Sequence, residues 1–147
     1  MRIFWISALI TFFLDRITKV LILKSNFTVL KIFSFLNLVK VWNTGIVFGL
    51  FSGHREIGKY IWIGVVGFFL GAIFSWARTL KNDRTLKIAL GILFGGGLGN
   101  LVDRFLYGAV FDFIDFHIQN YHWPAFNIAD AGITVAIFFI LLKYARG

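Results

Sequence analysis

Four stretches of the chain, residues 3–23, 57–77, 86–105 and 125–143, each run for the length of a bilayer crossing with few or no charges. A hydrocarbon layer about 30 Å thick is crossed by about 20 apolar residues in a helix, because lipid offers no partner for an unpaired backbone N–H or C=O. In a chain of 147 residues, four such helices leave room for little else. The expected fold is therefore an all-α membrane protein with four transmembrane helices, forming a single domain over residues 1–147. Composition supports this: 59% of residues are hydrophobic and 19% aromatic, with one Pro, and the mean hydropathy of +0.80 lies far above that of a soluble domain. Met1 and Arg2 before an apolar run imitate a secretory signal. No small-residue cleavage site follows, and Asp15 and Arg16 come next, so a retained first span is expected.

Between the first two spans, residues 26–52 are rich in Phe, Val, Ile and Thr and broken by Asn and Gly, which favours a small β-sheet resting on the membrane surface. Residues 106–124 read as a turn at Gly108, an extended aromatic stretch and a break at Pro124, hence a loop or strand at the interface. No repeat or flexible linker suggests a second domain.

In an even bundle the odd spans end, and the even spans begin, on one membrane face. That face receives Asp15 and Lys19, Asn43, the group Asn100, Asp103 and Arg104, and the pair Asn127 and Asp130. The other face holds both termini and the loop RTLKNDRTLK, with Arg2, Arg78, Lys81, Arg84, Lys87, Lys143 and Arg146 against the single acid Asp83. Density of Lys and Arg over short loops makes that face cytoplasmic. The formal charge of +8 is spread along the flanks of apolar runs instead of forming one basic stripe, so membrane lipids, and not nucleic acid, are the expected partners.

The chain has no Cys, which excludes thiol catalysis, disulfides and thiolate metal sites. His54, His117 and His122 lack the HExxH pattern, so no metal and no cofactor are expected; a Ser nucleophile elbow and a phosphate loop are also missing. Carboxylates remain. An ionised Asp at mid-bilayer costs about 2.5–3.5 kcal/mol on insertion scales, so Asp15, Asp103 and Asp130 each need a partner, a shallow depth or a function. Asp15 and Lys19, four residues apart, share a helix face and can pair structurally or serve a site directly. Asp103 and Arg104 point about 100° apart, so each must look to a different span. On a strand, Asp112 and Asp115 face opposite sides, so at most one joins a given site, and taken singly either reads first as a solvated loop carboxylate, the usual fate of Asp near water. The glycines of FGGGLGN serve close helix packing or backbone access to a bound chain.

Four motifs occur in order: DRITK in the first span, NTGIVFG before the second, GGGLGNLVDR with GAVFDF at and after the end of the third, and FNIAD opening the fourth. Together they resemble the lipoprotein signal peptidase (signal peptidase II) family over most of the chain. The resemblance implies an aspartic endopeptidase of the bacterial inner membrane that works near the extracytoplasmic face. Its substrates would be diacylglyceryl-modified lipoprotein precursors, cut just before the lipid-bearing Cys, and the enzyme would act as a monomer. It further implies Asp112 and Asp130 as the catalytic pair, a substrate site lined by Asn43, Gly45, Asn100, Arg104 and Asn127, and supporting roles for Asp15, Lys19 and Asp103. Ile46 and Val47 stand where the family commonly has small residues, which bears on local pocket shape. Two carboxyls close together in a poorly solvated site share one proton, so one can act as base and the other as acid. The rival readings are a four-helix carrier with a polar path and a lipid-binding accessory protein.

Overall fold

A computed structural model describes residues 1–45 and 55–145; Ile46, Val47 and His54 lie outside them. In chain order the elements are helix α1 (Arg2–Lys24), strands β1 (Val29–Phe33) and β2 (Leu36–Asn43), helices α2 (Arg55–Thr79) and α3 (Arg84–Tyr107), strands β3 (Val110–Ile118) and β4 (Tyr121–His122), and helix α4 (Ile128–Ala145).

Helix α3 is the hub, packing against α1, α2 and α4, and its glycines explain how. A Cβ on Gly91 would lie 2.4 Å from the Phe4 carbonyl oxygen, one on Gly95 2.2 Å from that of Ala8, and one on Gly96 2.9 Å from that of Ala129. At Gly99 it would lie 2.6 Å from the Asp15 carboxylate. The glycine run thus brings backbones of α1 and α4 against α3, the packing role that small residues play where lipid supplies no hydrophobic drive between helices. Gly97 faces α2, with Leu70 filling the space a side chain would take.

Among the described residues, three helices, 58–79, 84–107 and 128–145, are long and apolar enough to cross a membrane. Helix α1 has 23 residues, about 35 Å, but carries Asp15, Arg16 and Lys19 in every window of span length. Its polarity is inverted relative to a helix of a soluble protein. Phe4, Ala8, Thr11, Asp15 and Lys19 form the buried stripe, while Ile6, Leu9, Ile10, Phe13, Ile17 and Leu21 face outward, each more than half exposed.

The sheet is larger than residues 26–52 alone suggest. Its antiparallel order is β1-β2-β3-β4, so the stretch expected as an interfacial loop or strand supplies its other half. Strand β3 carries the buried side chains of Val110, Phe111 and Phe113 and pairs with β2 in the register Asn37↔Asp115, Val41↔Asp112, Asn43↔Val110, with an irregularity between Leu38 and Val41. Pairing with β3 covers an edge of β2 that would otherwise stay open. Gly108, at φ 73°, ends α3 and gives its N–H to the Arg104 carbonyl at 3.0 Å, turning the chain directly into β3.

Candidate active site

The site begins at the start of α4. Asn127 accepts from the N–H of Asp130 at 3.0 Å, and the Asp130 carboxylate accepts from the N–H of Asn127 at 3.2 Å. This reciprocal cap satisfies two donors that a helix start leaves open and fixes Asp130 in the first turn. It also aims the Asn127 amide inward. Its Nδ2 donates to Asp112 Oδ1 at 2.7 Å, to Asn100 Oδ1 at 3.1 Å and to the Phe111 carbonyl at 3.3 Å. Asn100, about two turns before the end of α3, in turn donates to Asp130 Oδ1 at 2.8 Å.

Asp112 and Asp130 therefore each bond to Asn127, and Asn100 ties Asp130 into the same set. The remaining oxygen of Asp112 accepts from Asn43 Nδ2 at 3.1 Å, across from the end of β2. Asn43 also accepts from Gly45 N at 2.9 Å, and the Gly45 carbonyl accepts from Trp62 Nε1 at 3.1 Å. Gly45 has φ 71°, and a Cβ there would meet Trp62 Nε1 at 2.9 Å, so both conformation and space require glycine.

Asp112 lies on β3, outside the helices, and is 2% exposed. Burial pushes its carboxyl up, to about 6, and the charge of Asp130 adds to the rise, while the bonds from Asn43 and Asn127 oppose it. Asp115 is also buried, which corrects the solvated-loop alternative for it. It bonds to Asn37 Nδ2 at 3.0 Å and His122 Nδ1 at 2.8 Å. Burial alone would raise its pKa, but those bonds prevail and hold it below the usual carboxylate range. The two acids of β3 thus serve different clusters.

Below the pair lies a charged knot. Lys19 Nζ is 2.8 Å from Asp15 Oδ2 and 2.8 Å from Asp103 Oδ2, and donates to Asn100 Oδ1 at 3.0 Å. Asp15, Lys19 and Asp103 are all buried. Asp15 accepts from the Ala129 N–H at 3.0 Å, and Asp103 accepts from Phe111 N at 3.2 Å and pairs with Arg16. The knot ties α1, α3, α4 and β3 together beneath Asn100. Asp15 and Lys19 do pair with each other, and Asp103 looks to α1, as its direction on α3 requires.

Arg104 looks to α2. Its guanidinium lies 5.5 Å over the Trp62 ring, and its Nη1 reaches the Asn100 carbonyl only at 3.5 Å. Its buried Nε has no partner among the described residues. Together with Asn100 it closes one end of an apolar groove of about 420 Å³ lined by Leu70, Ile73, Leu93, Gly97 and Ile137.

Arg16 and Trp62 were not singled out from the sequence. Arg16 had a signal, a third charge inside a span beside Asp15. Trp62 had none, since one more aromatic in an apolar helix carries no local mark.

A model of the signal peptidase II family matches residues 7–146. The chain belongs to the signal peptidase II family. A lipoprotein signal peptidase of Aquifex aeolicus is 41% identical over 143 residues, covering 93% of this chain and 82% of that protein. One of Desulforapulum autotrophicum is 40% identical over 129 residues, covering 84% and 80%. Among solved structures, a bacterial membrane enzyme determined by the in meso method superposes with a TM-score of 0.80 at 28% identity, covering 96% of this chain and 86% of that one. A second gives 0.78, also at 28% identity, covering 95% and 90%. Membership makes the chain a peptidase, and the apolar helices with these neighbours make it a multi-pass membrane protein.

Proposed function

We propose that this member of the family is an aspartic endopeptidase that removes the signal peptide from diacylglyceryl-modified lipoprotein precursors, cutting just before the modified Cys, with Asp112 and Asp130 as its catalytic pair. The observation that carries the reading is the shared bonding of both carboxylates to Asn127, with Asp112 buried and its pKa raised to about 6. Such a pair holds one proton between two acids. The ionised member takes a proton from a water attacking the scissile carbonyl carbon. The protonated member hydrogen-bonds the carbonyl oxygen, and its proton goes to the departing amine as the C–N bond breaks. The products are the carboxyl end of the signal peptide and the free amine of the lipid-bearing Cys. No covalent intermediate is needed.

Substrate positioning falls to Arg104, whose Nε donor, unpartnered among the described residues, suits a peptide carbonyl, and to Asn43, Gly45, Asn100 and Asn127, which hold the extended backbone and the carboxylates in place. The groove ending at Arg104 and Asn100 is apolar enough for a signal helix or an acyl chain to enter from lipid. Asp15, Lys19 and Asp103 support the floor of the site.

Four spans within one domain are the arrangement that the inverted polarity of α1 supports: its buried charges are paired inside the bundle and its outward face is apolar, which is favourable in lipid and costly in water. The face bearing the termini and the α2–α3 turn is cytoplasmic by its Lys and Arg density, so the acid pair lies at the extracytoplasmic face of the inner membrane. The unit of action is the monomer.

The test is cleavage by purified protein in micelles. A diacylglyceryl-modified precursor is expected to be cut before the Cys, the unmodified precursor to be left intact, and chelators to have no effect. Equal cleavage of the unmodified precursor would make the chain a general signal peptidase, and chelator sensitivity would overturn the two-carboxylate mechanism.

A further inference from the structure

At the end of the bundle opposite the acid pair, the start of α1 and the α2–α3 turn enclose a cavity of about 510 Å³, lined by Arg2, Ile3, Lys81, Asn82, Arg84 and Lys87 with Met1. Four cations from two separate segments surround it, and among the described residues no acid lines it. The one acid nearby, Asp83, is engaged elsewhere. Its carboxylate pairs with Lys143 of α4 and accepts from Leu86 N at 3.0 Å, capping α3. Of the four cations, Lys87 donates to the Lys81 carbonyl at 2.9 Å. Among the described residues, none of the four forms an ion pair with a carboxylate.

Like charges converging on one cavity repel one another, and an anion bound among them relieves the repulsion. Position identifies the anion. The cavity sits where two apolar helices, α2 and α3, leave the membrane, the depth of phospholipid headgroups, and Ile3 gives it an apolar flank suited to the start of an acyl chain. We infer that this cavity is a binding site for the phosphodiester headgroup of an anionic membrane phospholipid, held by Arg2, Lys81, Arg84 and Lys87 with Asn82 as a neutral donor. The site does not depend on which leaflet the turn faces, nor on the peptidase mechanism. Its consequence is a lipid clamp joining the start of α1 to the α2–α3 turn and the start of α3.

Native mass spectrometry of the full chain, titrated with phosphatidylglycerol or phosphatidylcholine, tests the inference. One phosphatidylglycerol is expected to bind in preference to phosphatidylcholine. The variant Arg84→Gln/Lys87→Gln should weaken it by about fivefold for each cation removed. The charge-matched control Lys24→Gln/Lys31→Gln, at the other end of the bundle, should bind as wild type does. Melting temperatures establish that each variant is folded, and Lys87→Gln alone serves if the double variant is not. Inorganic phosphate at millimolar concentration should fail to displace the lipid, because the apolar flank holds the acyl chain. Equal affinity for the two lipids, equal weakening in the control, or displacement by phosphate would each overturn the inference.

Discussion

Asp112 combines a strand position outside the helices, 2% exposure and a carboxyl pushed up to about 6 from an ordinary 3.8, and this gives its contribution to stability a definite sign. Folding favours the protonated form, so the stabilisation is fully present below about 3.8 and is lost as pH rises through about 6. Asp112→Asn, which cannot ionise, is therefore expected to melt at or above the wild-type temperature at pH 8, with the gap closing towards pH 4. A variant melting below wild type by the same margin at both pH values would show that Asp112 is not held against ionisation. Lys19 has the opposite standing, because it neutralises two buried carboxylates at 2.8 Å each. Lys19→Met leaves Asp15 and Asp103 without it and is expected to cost about 3–5 kcal/mol in unfolding experiments. A loss under about 1 kcal/mol would mean that the Arg16–Asp103 pair and the Ala129 N–H to Asp15 bond suffice without Lys19.

At the scale of elements, the glycines of α3 and α2 look alike in sequence and are expected to behave differently. Gly95→Ala drives a methyl into the Ala8 carbonyl, at 2.2 Å, and should destabilise by about 1–3 kcal/mol or more, whereas Gly67 has nothing within 4 Å of an added Cβ. Gly67→Ala should be neutral or stabilising by up to about 1 kcal/mol through helix propensity. Melting of the two variants in one detergent checks the contrast, and equal effects would remove the packing role of the α3 run. The helical windows were legible because span length is a property of each segment by itself. The partnership of β2 with β3 was not, because it joins residues such as Val41 and Asp112 across two intervening helices, and nothing local in either strand specifies the other. Asp115 shows the same limit. Its alternation with Asp112 was readable, but its burial depends on Asn37 and His122, which only the sheet brings to it.

Across the whole molecule, one end is charged and open and the other gathers polar side chains from four helices and a sheet into a buried set. The order of DRITK, NTGIVFG, GGGLGNLVDR and FNIAD indicated which residues would meet; the cap formed by Asn127 and Asp130 and the crossing of β3 account for how they do. In the proposed mechanism Asp112 and Asp130 act as one unit, so their removal should not be additive. The most direct measurement is single-turnover cleavage of a diacylglyceryl-modified precursor by Asp112→Asn, Asp130→Asn and the double variant, each verified as folded. Each single variant is expected to be slower by about a thousandfold or more, and the double variant to be no slower than the worse single one. Cleavage within about tenfold of wild type by either single variant would contradict the shared-proton pair.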